Sequence, residues 1–431
     1  MTLAPGSGLL IAAPASGSGK TTLTLGLLRA LRRRGADLRA AKSGPDYIDP
    51  RFHEAACGQP CLNLDAWAMR PESIRARAAG PLPLIVEGAM GLFDGAPPDG
   101  KGSAADLARV LGLPVIFVVD AARMSQSVAP LVAGFAAHVP DVRIAGVILN
   151  RVGSVRHETG LRRALAPLAL PVLGALPRSA LIRQPSRHLG LVQAEEHGDL
   201  EGFLETAADL VEAHVDLDAL AACAAPLPAA APAPFGPPPA QRIAVARDAA
   251  FAFSYPHQLA DWRAAGAEIS FFSPLAGEAP REAGFIYLPG GYPELHAGRI
   301  AAAQAFMAGL RAAHADGVPI YGECGGYMVM GEGLVDAQGM RHEMAGLLPL
   351  ETSFAERRLH LGYRDLTPLH GDLPAPLSEP LKAHEFHYAT TLKADGDALF
   401  EARDAEGAPL GPTGLRAGSA CGSFAHVICP A

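Results

Sequence analysis

Residues 9–22 of the chain read LLIAAPASGSGKTT, and they indicate the fold class of the N-terminal half. The apolar segment Leu9–Ala13 has the composition of a buried strand, and the glycine-rich turn after it leads into residues typical of a helix start. Backbone N–H groups in such a turn, together with the helix N-terminus, present positive charge to phosphate oxygens. The sequence therefore predicts a phosphate-binding loop, or P-loop, between the first strand and the first helix.

The GSGKTT part of this loop is intact, although the strict P-loop pattern has glycine at position 14 and this chain has Pro14. We expect the Lys20 side chain to reach the β- and γ-phosphates of ATP and the Thr21 hydroxyl to bind Mg²⁺. At Asn150, which ends a later strand, adenine contact and a helix N-cap are both open. The predicted ATP-binding residues are Gly17, Ser18, Gly19, Lys20, Thr21, Thr22 and Asn150.

Acidic residues follow two further predicted strands. Asp46 and Asp49 lie in GPDYIDP, residues 44–50, and Glu87 opens EGAMGLFDG, residues 87–95. Doubly wound sheets bind their ligands at the carboxyl ends of their strands, and carboxylate oxygens suit hard cations. Thr21, Asp46 and Glu87 are therefore the predicted magnesium ligands. For any single aspartate in such a loop, a turn or cap role is the alternative.

Short apolar runs alternate with helix-like segments on both sides of one proline-rich stretch. The order predicts a doubly wound, mostly parallel α/β domain over residues 1–223 and a second α/β domain over residues 241–431. The uncharged segment 224–240, AAPLPAAAPAPFGPPPA, is expected to be a semi-rigid linker that joins no sheet. A long surface loop within one domain is the alternative. The predicted strands include Leu84–Val86, Val115–Val119, Ile144–Leu149, Val172–Leu176, Ile243–Ala246, Ile269–Phe272 and Phe285–Leu288.

Composition excludes several classes of protein. A chain of 431 residues with 49% hydrophobic residues is not wholly disordered. The net charge is −8 and the longest basic run is Arg32–Arg34, which argues against nucleic acid as the main partner. The sequence has neither a spanning apolar run nor a signal peptide, and its six cysteines do not form a disulfide framework. We expect a soluble, cytoplasmic protein without a membrane partner, with a homodimer left open.

A second site is predicted at PIYGECGGY, residues 319–327. Cys324 lies between small residues directly after a strand, as in a turn that presents a nucleophile, and the helix that follows is expected to lower its thiol pKa. In the turn LPGGYPE, residues 288–294, the N–H groups of Gly290 and Gly291 would stabilise an oxyanion. His426 is the predicted base. The alternative is a buried, inert cysteine.

A further set of potential metal ligands has a simpler interpretation. His53, Cys57 and Cys61 recur at a spacing of four, which would place them on one helix face. The set has only three ligands and Pro60 interrupts the helix, so core packing is favoured over a zinc site.

Together these segments resemble the cobyrinate a,c-diamide synthase family, over nearly the whole chain. Members join a dethiobiotin-synthetase-like P-loop domain to a class I glutamine amidotransferase domain. The resemblance implies a carbon–nitrogen ligase of cobalamin biosynthesis that uses ATP and L-glutamine to amidate the a and c acetate groups of a corrin polycarboxylate. The segments APASGSGKTT and GECGGYMVMGE are more similar to members that act on hydrogenobyrinate than to members that act on cobyrinate. The segments that carry the resemblance are the P-loop and residues 42–50, 87–95, 187–191, 322–326 and 383–388.

The resemblance also implies roles for the site residues. Cys324 would form a glutamyl thioester and release ammonia, with His426 as base and acid. The P-loop domain would phosphorylate a corrin carboxylate, and ammonia would displace phosphate from the acyl phosphate. Asp46, Asp49 and Glu87 are carried over for Mg²⁺ and substrate. A basic cluster is the hypothesis for the corrin carboxylates, with surface charge as the alternative; it consists of Arg178, Arg183, Arg187 and His188.

Two positions depart from the family pattern. Ile428 stands where the amidotransferase triad has a glutamate, which leaves Glu385 as a candidate to orient His426, and Ala383 stands in place of a glycine. A cobyric acid synthase, which amidates other side chains of the same ring, is the near alternative. A P-loop switch ATPase is more distant, because such proteins usually have a second lysine where this chain has Ala15. A dethiobiotin synthetase would account only for the first half.

Overall fold

The computed structural model describes residues 3–179, 186–187, 190–191, 193–231 and 236–431. The chain divides into two compact units, residues 1–233 and 234–431. This division falls inside the segment 224–240, whose role as a linker stays a prediction. Within the described residues, no helix combines the length and the apolar character that crossing a bilayer requires.

The first unit is built on a parallel sheet in the order β3-β2-β4-β1-β5-β6-β7. The central strand β1 is buried along its whole length between β4 and β5, as its continuous apolar run predicts. The strands of this unit are β1 Ser7–Ala12, β2 Arg39–Ser43, β3 Leu62–Leu64, β4 Leu84–Glu87, β5 Val115–Asp120, β6 Ile144–Val152, β7 Val172–Pro177, β8 Ser186–Arg187, β9 Gly190–Leu191 and β10 Ala225–Pro226.

Helices alternate with these strands, so the doubly wound α/β prediction for this unit is confirmed. Helix α1 starts at Lys20, directly after Gly19, whose φ of 85° gives the chain the sharp turn from loop to helix. The helices of this unit are α1 Lys20–Arg33, α2 Asp49–Cys57, α3 Pro71–Ala78, α4 Ala104–Leu111, α5 Val128–His138, α6 Val155–Leu165, α7 Leu200–His214 and α8 Leu217–Ala222.

The expectation that no part of 224–240 joins a sheet is wrong at its start. Strand β10 pairs antiparallel with β1, with Pro226 opposite Ser7, and the Leu227 N–H donates to the Gly6 carbonyl at 2.8 Å. Proline has no N–H to give to a ladder, but here the next residue supplies the donor. The segment is therefore tied to the first sheet before it leaves the unit.

The second unit contains a six-stranded sheet in the order β12-β11-β13-β14-β24-β23, in which only β23 is antiparallel to its neighbour. Alternate residues of β11 enter two different apolar clusters, so the sheet is covered on both faces. The strands of the six-stranded sheet are β11 Arg242–Ala246, β12 Glu268–Phe272, β13 Phe285–Leu288, β14 Ile320–Glu323, β23 Leu415–Ala417 and β24 Ala420–Ser423.

Two antiparallel or mixed sheets complete this unit, in the orders β16-β15-β17-β20 and β22-β21-β18-β19-β25. Residues of the five-stranded sheet share one apolar cluster with β11, which places that sheet on one face of the first. The remaining elements are helices α9 Pro256–Ala264, α10 Ala297–Ala302, α11 Gln304–Ala315 and α12 Gly325–Met330, and strands β15 Gly333–Val335, β16 Arg341–Glu343, β17 Leu350–Ser353, β18 His360–Pro368, β19 Leu381–His387, β20 Thr390–Ala394, β21 Phe400–Arg403, β22 Pro409–Thr413 and β25 Ala425–Pro430.

Candidate active sites

A cavity of about 1360 Å³ lies at the carboxyl ends of the strands of the first unit. The P-loop follows β1, and the next strands of the sheet deliver their terminal side chains to the same edge. The cavity therefore collects the residues that the sequence placed in an ATP site. Its walls include Gly17, Ser18, Gly19, Lys20, Thr21, Thr22, Asp46, Asp49, Glu87 and Asn150.

The lysine of the P-loop is folded against the loop itself. Its Nζ donates to the carbonyl of Met90 at 2.5 Å and lies 3.3 Å from the carbonyl of Ala15. Burial lowers the pKa of Lys20 to about 8, so the ammonium is mostly charged at neutral pH. The loop thus holds one cation at the position where phosphate charge would arrive.

Beside the P-loop, a hydroxyl and two carboxylates meet. Thr21 Oγ1 donates to Glu87 Oε1 at 2.6 Å and lies 3.5 Å from Asp49 Oδ2. All three ligand atoms are oxygens, the donor type that Mg²⁺ prefers, so the set fits that ion. The sequence named Asp46 for this place, but in the structure its Oδ1 accepts the backbone N–H groups of Ile48 and Asp49. Among the described residues, Asp49 is the aspartate brought to Thr21.

Two basic side chains complete this cluster, and sequence reasoning missed their place in it. Lys42 Nζ contacts Asp49 Oδ2 at 2.5 Å and Glu87 Oε1 at 2.7 Å, and His53 Nε2 lies 2.6 Å from Glu87 Oε2. Lys42 and Glu87 come from neighbouring strands in register, which brings their side chains together. A lysine in a strand rich in alanine was the available signal, because a charge in a buried strand requires a partner.

The pairing sets the protonation states of the cluster. Burial alone would raise the pKa of Glu87, but Lys42 and His53 hold it well below its usual range. Burial alone would lower the pKa of Lys42, but the carboxylates of Asp49 and Glu87 raise it above its usual value. Burial, followed by the negative charge of Asp46, raises the pKa of Asp49. The first unit thus maintains charged groups in a buried position through close pairing.

Asn150 has a structural role in the same cavity. Its Nδ2 donates to the carbonyl of Ser18 at 2.9 Å, and its Oδ1 accepts the backbone N–H of Arg151. These bonds tie the end of β6 to the P-loop. The N-cap alternative is wrong, because Ser154 caps α6 by accepting the N–H of His157. Contact of Asn150 with adenine stays a prediction.

The basic cluster expected to bind a polycarboxylate is only partly described. Arg178 lines the cavity, together with Arg123 and Arg151. Arg183 and His188 lie outside the described residues, and so does the side chain of Arg187. The role of this cluster stays a prediction.

In the second unit, Cys324 occupies a strained turn between β14 and α12. Its φ of 46° and ψ of −105° lie in a region that non-glycine residues rarely adopt. The turn is held by the Cys324 N–H, which donates to the carbonyl of Ser423 at 2.8 Å. Such strain is typical of turns that aim a nucleophile.

The two predicted oxyanion glycines pack directly against this turn. A Cβ built on Gly290 would lie 2.9 Å from His426 Nε2 and 3.3 Å from the Cβ of Cys324. The same atom would overlap the imidazole ring, so a side chain is excluded at this position. A Cβ on Gly325 would lie 3.0 Å from the Gly291 backbone nitrogen. The structure therefore brings the thiol, the imidazole and the glycine turn together.

Burial determines the protonation of the thiol and the imidazole. It lowers the pKa of His426 to about 3, with His384 and His387 contributing in the same direction, so the ring is neutral and able to accept a proton. The expectation that the helix N-terminus lowers the thiol pKa is wrong for this closed site. Burial, followed by the charge of Glu294, raises the pKa of Cys324 above its usual value.

Glu385, the residue predicted to orient His426, does not lie against its ring as expected. Both oxygens of Glu385 are engaged elsewhere, Oε2 by Arg364 Nε at 2.7 Å and Oε1 by His387 Nε2 at 2.9 Å. The carboxylate beside His426 is that of Glu323, with its Oε2 3.8 Å from His426 Nδ1. Ile428 is buried, and its side chain has no acceptor that could orient the imidazole. Sequence reasoning missed Glu323, although a glutamate next to the nucleophile in a buried strand was a signal.

Two further sets of side chains contain potential metal ligands. His53 is bound to Glu87, and the Cys57 thiol donates to the Gln59 carbonyl, so these two side chains of the suggested zinc set are engaged separately. Among the described residues, His360, Glu385 and His387 form another group, with ligand atoms that lie within 4.8 Å of one another. Arg364 already compensates the charge of its carboxylate.

Each half of the chain matches a known protein family. Residues 9–192 match the CobQ/CobB/MinD/ParA nucleotide binding domain, and residues 242–431 match the CobB/CobQ-like glutamine amidotransferase domain. Hydrogenobyrinate a,c-diamide synthase of Brucella anthropi is 62% identical, over 98% of both chains. The chain belongs to the hydrogenobyrinate a,c-diamide synthase family. Proteins of that name from Brucella abortus and Rhodobacter capsulatus are 61% and 55% identical, each over 98% of this chain and 98% of its own length.

Membership in the hydrogenobyrinate a,c-diamide synthase family confirms the resemblance found in the motifs and the two-part α/β fold. The chain is a glutamine-dependent amidating ligase of cobalamin biosynthesis with a nucleotide-binding domain. The amidotransferase match over the second half argues against a P-loop switch ATPase, which needs no such unit.

Proposed function

We propose that this enzyme amidates the a and c acetate side chains of hydrogenobyrinate, with ATP and L-glutamine as co-substrates. The observation that carries the proposal is the 62% identity, over 98% of both chains, to a protein named hydrogenobyrinate a,c-diamide synthase. The geometry of each unit supports one of the two half-reactions. A corrin without cobalt is favoured over cobyrinate because all the named relatives above carry the hydrogenobyrinate name.

The glutaminase half-reaction belongs to the second unit. His426 Nε2 accepts the proton of the Cys324 thiol, and the sulfur attacks the side-chain amide carbon of glutamine. The C–N bond breaks, the proton passes to the leaving nitrogen, and ammonia departs from a glutamyl thioester, which water then hydrolyses to glutamate. The neutral state of His426 supports this role as proton acceptor. N–H groups of the turn that contains Gly290 and Gly291 would hold the oxyanion.

The synthetase half-reaction belongs to the first unit. A carboxylate is a poor electrophile, so its oxygen first attacks the γ-phosphorus of ATP and ADP leaves. Ammonia then attacks the carbonyl carbon of the acyl phosphate, and phosphate leaves with the formation of the amide. We assign Lys20 to the β- and γ-phosphates, with the N–H groups of the P-loop around it. The basic residues Arg123, Arg151 and Arg178 line the same cavity and suit a ligand with many carboxylates.

Magnesium is part of the proposal. Thr21, Asp49 and Glu87 would hold the ion, because their oxygens converge beside the P-loop. When bound, Mg²⁺ neutralises charge on the β- and γ-phosphates. Lys42 and His53 keep Glu87 ionised and fixed in position. The proposed location is the cytoplasm, where ATP is abundant; all six cysteines of the chain are free thiols, as in a reducing compartment.

Mass spectrometry of the corrin product tests this proposal. The full-length enzyme is incubated with ATP, Mg²⁺ and glutamine, and separately with hydrogenobyrinate or cobyrinate. We expect two amides on hydrogenobyrinate and a much lower rate with cobyrinate. Faster amidation of cobyrinate would contradict the choice of corrin. A product with amides on side chains other than a and c would favour a cobyric acid synthase, and hydrolysis of ATP without any amide would contradict the ligase itself.

A further inference from the structure

One buried carboxylate close to the thiol has no part in the mechanism above. Glu323 ends strand β14 immediately before Cys324, and its side chain is fully buried. Its Oε2 lies 3.8 Å from Nδ1 of His426, which is also fully buried. A carboxylate in such surroundings is costly unless polar groups hold it, so its position calls for a physical reason.

Glu323, at the end of β14, is hydrogen-bonded to the neighbouring strand β13 and to β25 of the five-stranded sheet. The Tyr287 hydroxyl on β13 donates to Oε2 at 2.6 Å, and the Val427 backbone N–H on β25 donates to Oε1 at 3.0 Å. Val427 is the residue directly after His426. The carboxylate therefore fixes the backbone that carries the imidazole and also faces the ring nitrogen itself.

The two nitrogens of the ring face different groups. Nδ1 is the nitrogen next to Glu323, whereas Nε2 lies on the side of Gly290, where a built Cβ would be 2.9 Å from Nε2 and 3.3 Å from the Cβ of Cys324. A carboxylate beside Nδ1 favours the tautomer with its proton on Nδ1, because that N–H can donate to it. Nε2 is then free of a proton and able to take one from the thiol. Catalytic contacts of this kind are often long before substrate binds.

The backbone of Phe253, which forms a hydrogen bond with the ring, also acts on His426, and so do the imidazoles of His384 and His387. His384 lies opposite His426 in the β19–β25 ladder, where Glu385 is opposite Ala425. Glu385 is committed to Arg364 and His387. Burial raises the pKa of Glu323 to about 7, and the hydrogen bonds from the Tyr287 hydroxyl and the Val427 N–H act in the opposite direction.

We propose that Glu323 is the positioning residue of the glutaminase centre, replacing the acid that Ile428 cannot supply. It acts through His426: it fixes the orientation and the tautomer of the ring, and Nε2 then accepts the proton of the Cys324 thiol. The inference rests on the proposed glutaminase role of the second unit. The alternative is that Glu323 only braces β13 and β25 through Tyr287 and Val427.

Glu323→Gln tests the proposal because it keeps the size of the side chain. Its amide oxygen still accepts the Val427 N–H, but its NH₂ faces Nδ1 as a donor and favours the wrong tautomer. The matched control is Glu332→Gln, a partly exposed glutamate that pairs with Lys393. Cys324→Ala is prepared in parallel. For each full-length variant, kcat and KM are measured with glutamine and with ammonia as the nitrogen source, and thermal unfolding is recorded.

We expect Glu323→Gln to lower kcat with glutamine by about 100-fold, with an unchanged KM for glutamine and an unchanged rate with ammonia. Glu332→Gln should match the wild type in all these values. A glutamine kcat within twofold of the wild type would overturn the inference. So would a raised KM accompanied by early unfolding, because that pattern marks a purely structural brace. Continued use of glutamine by Cys324→Ala would instead contradict the proposed function on which the inference rests.

Discussion

In the first unit, the reactive side chains line a large cavity and carry charge, whereas in the second they are closely packed and mostly neutral. Lys42 and Glu87 stay ionised in a buried position because each lies within 2.7 Å of an opposite charge. In the second unit, burial is the largest influence on Cys324 and His426, and it holds both in their neutral forms. The difference follows the proposed chemistry: phosphate charge has to be balanced, while a thiol and an imidazole only exchange one proton.

Removal of the P-loop lysine should have the largest effect. Lys20→Ala removes the cation assigned to the β- and γ-phosphates, so amidation should fall by about 10²- to 10³-fold with either glutamine or ammonia. Hydrolysis of glutamine by the second unit should persist at a measurable rate. Steady-state assays with both nitrogen donors and a glutamate assay check this. A defect restricted to glutamine would show that the two units do not divide the work as proposed.

Lys42→Met tests how much the first unit depends on charge pairing. The substitution leaves Asp49 and Glu87 buried without their shared cation, so the free energy of unfolding should fall by about 3–5 kcal/mol. Arg33→Met is the matched control, since Arg33 pairs with Glu205 and Asp209 at the surface. That change should cost less than about 1 kcal/mol.

The tryptophans allow this to be measured in one unit. Trp67 lies in the first unit and Trp262 in the second, and the chain has two tryptophans in all. In a Trp262→Phe background, the fluorescence of Trp67 reports denaturant unfolding of the first unit alone. Equal losses in Lys42→Met and Arg33→Met would contradict the importance of the buried pairing.

Gly290→Ala tests the close packing of the second site. The new methyl would overlap the His426 ring and displace it from Cys324, so glutamine-dependent kcat should fall by about 100-fold while ammonia-dependent activity is kept. Gly298→Ala is the control, because a Cβ there has its nearest atom at 3.6 Å. If Gly290→Ala used glutamine at the wild-type rate, the thiol and imidazole would not be arranged as described.

The neutral state of His426 predicts a pH-dependent stability. Its folded pKa of about 3 lies below the unfolded value of 6.5, so the unfolded chain binds the proton first as pH falls. The stabilising contribution is complete above pH 6.5 and decreases as the pH falls from there toward 3. At pH 5, this group should account for a loss of about 2 kcal/mol relative to pH 7.5.

The comparison of wild type with His426→Asn isolates this contribution. In a Trp67→Phe background, Trp262 fluorescence follows denaturant unfolding of the second unit at pH 7.5 and pH 5. The variant should lose about 2 kcal/mol less than the wild type between these values. Parallel losses in the two proteins would show that His426 is not buried in its neutral form.

The sequence predicted those features of both sites that depend on a few residues adjacent in the chain. The P-loop, the strand before it and the turn at Cys324 each follow from a few adjacent residues, so apolar runs and glycines were sufficient to find them. Strand β10 was missed because its pairing with β1 joins residues that are far apart in the chain. The direction of the Cys324 pKa shift was also missed, since burial depends on packing from distant elements.

Positions that act through neighbouring strands were the hardest to predict. Lys42 and Glu87 face each other only because β2 and β4 pair in register. Glu323 on β14 lies next to His426 on β25, a strand of a different sheet, whereas the sequence pattern pointed to an acid near position 428. In both cases the signal was a charged residue within a buried strand. Such a residue requires a polar partner, but the sequence does not show which residue the partner is.

Cys324→Ala in the full-length enzyme tests whether the second unit releases ammonia from glutamine while the first unit forms the amide. The rate of amide formation on hydrogenobyrinate is measured with ATP and Mg²⁺, first with glutamine and then with ammonia. We expect no amide from glutamine and a wild-type rate from ammonia, because only the thiol is lost. Wild-type use of glutamine, or the loss of both activities in a variant that remains folded, would contradict the interpretation.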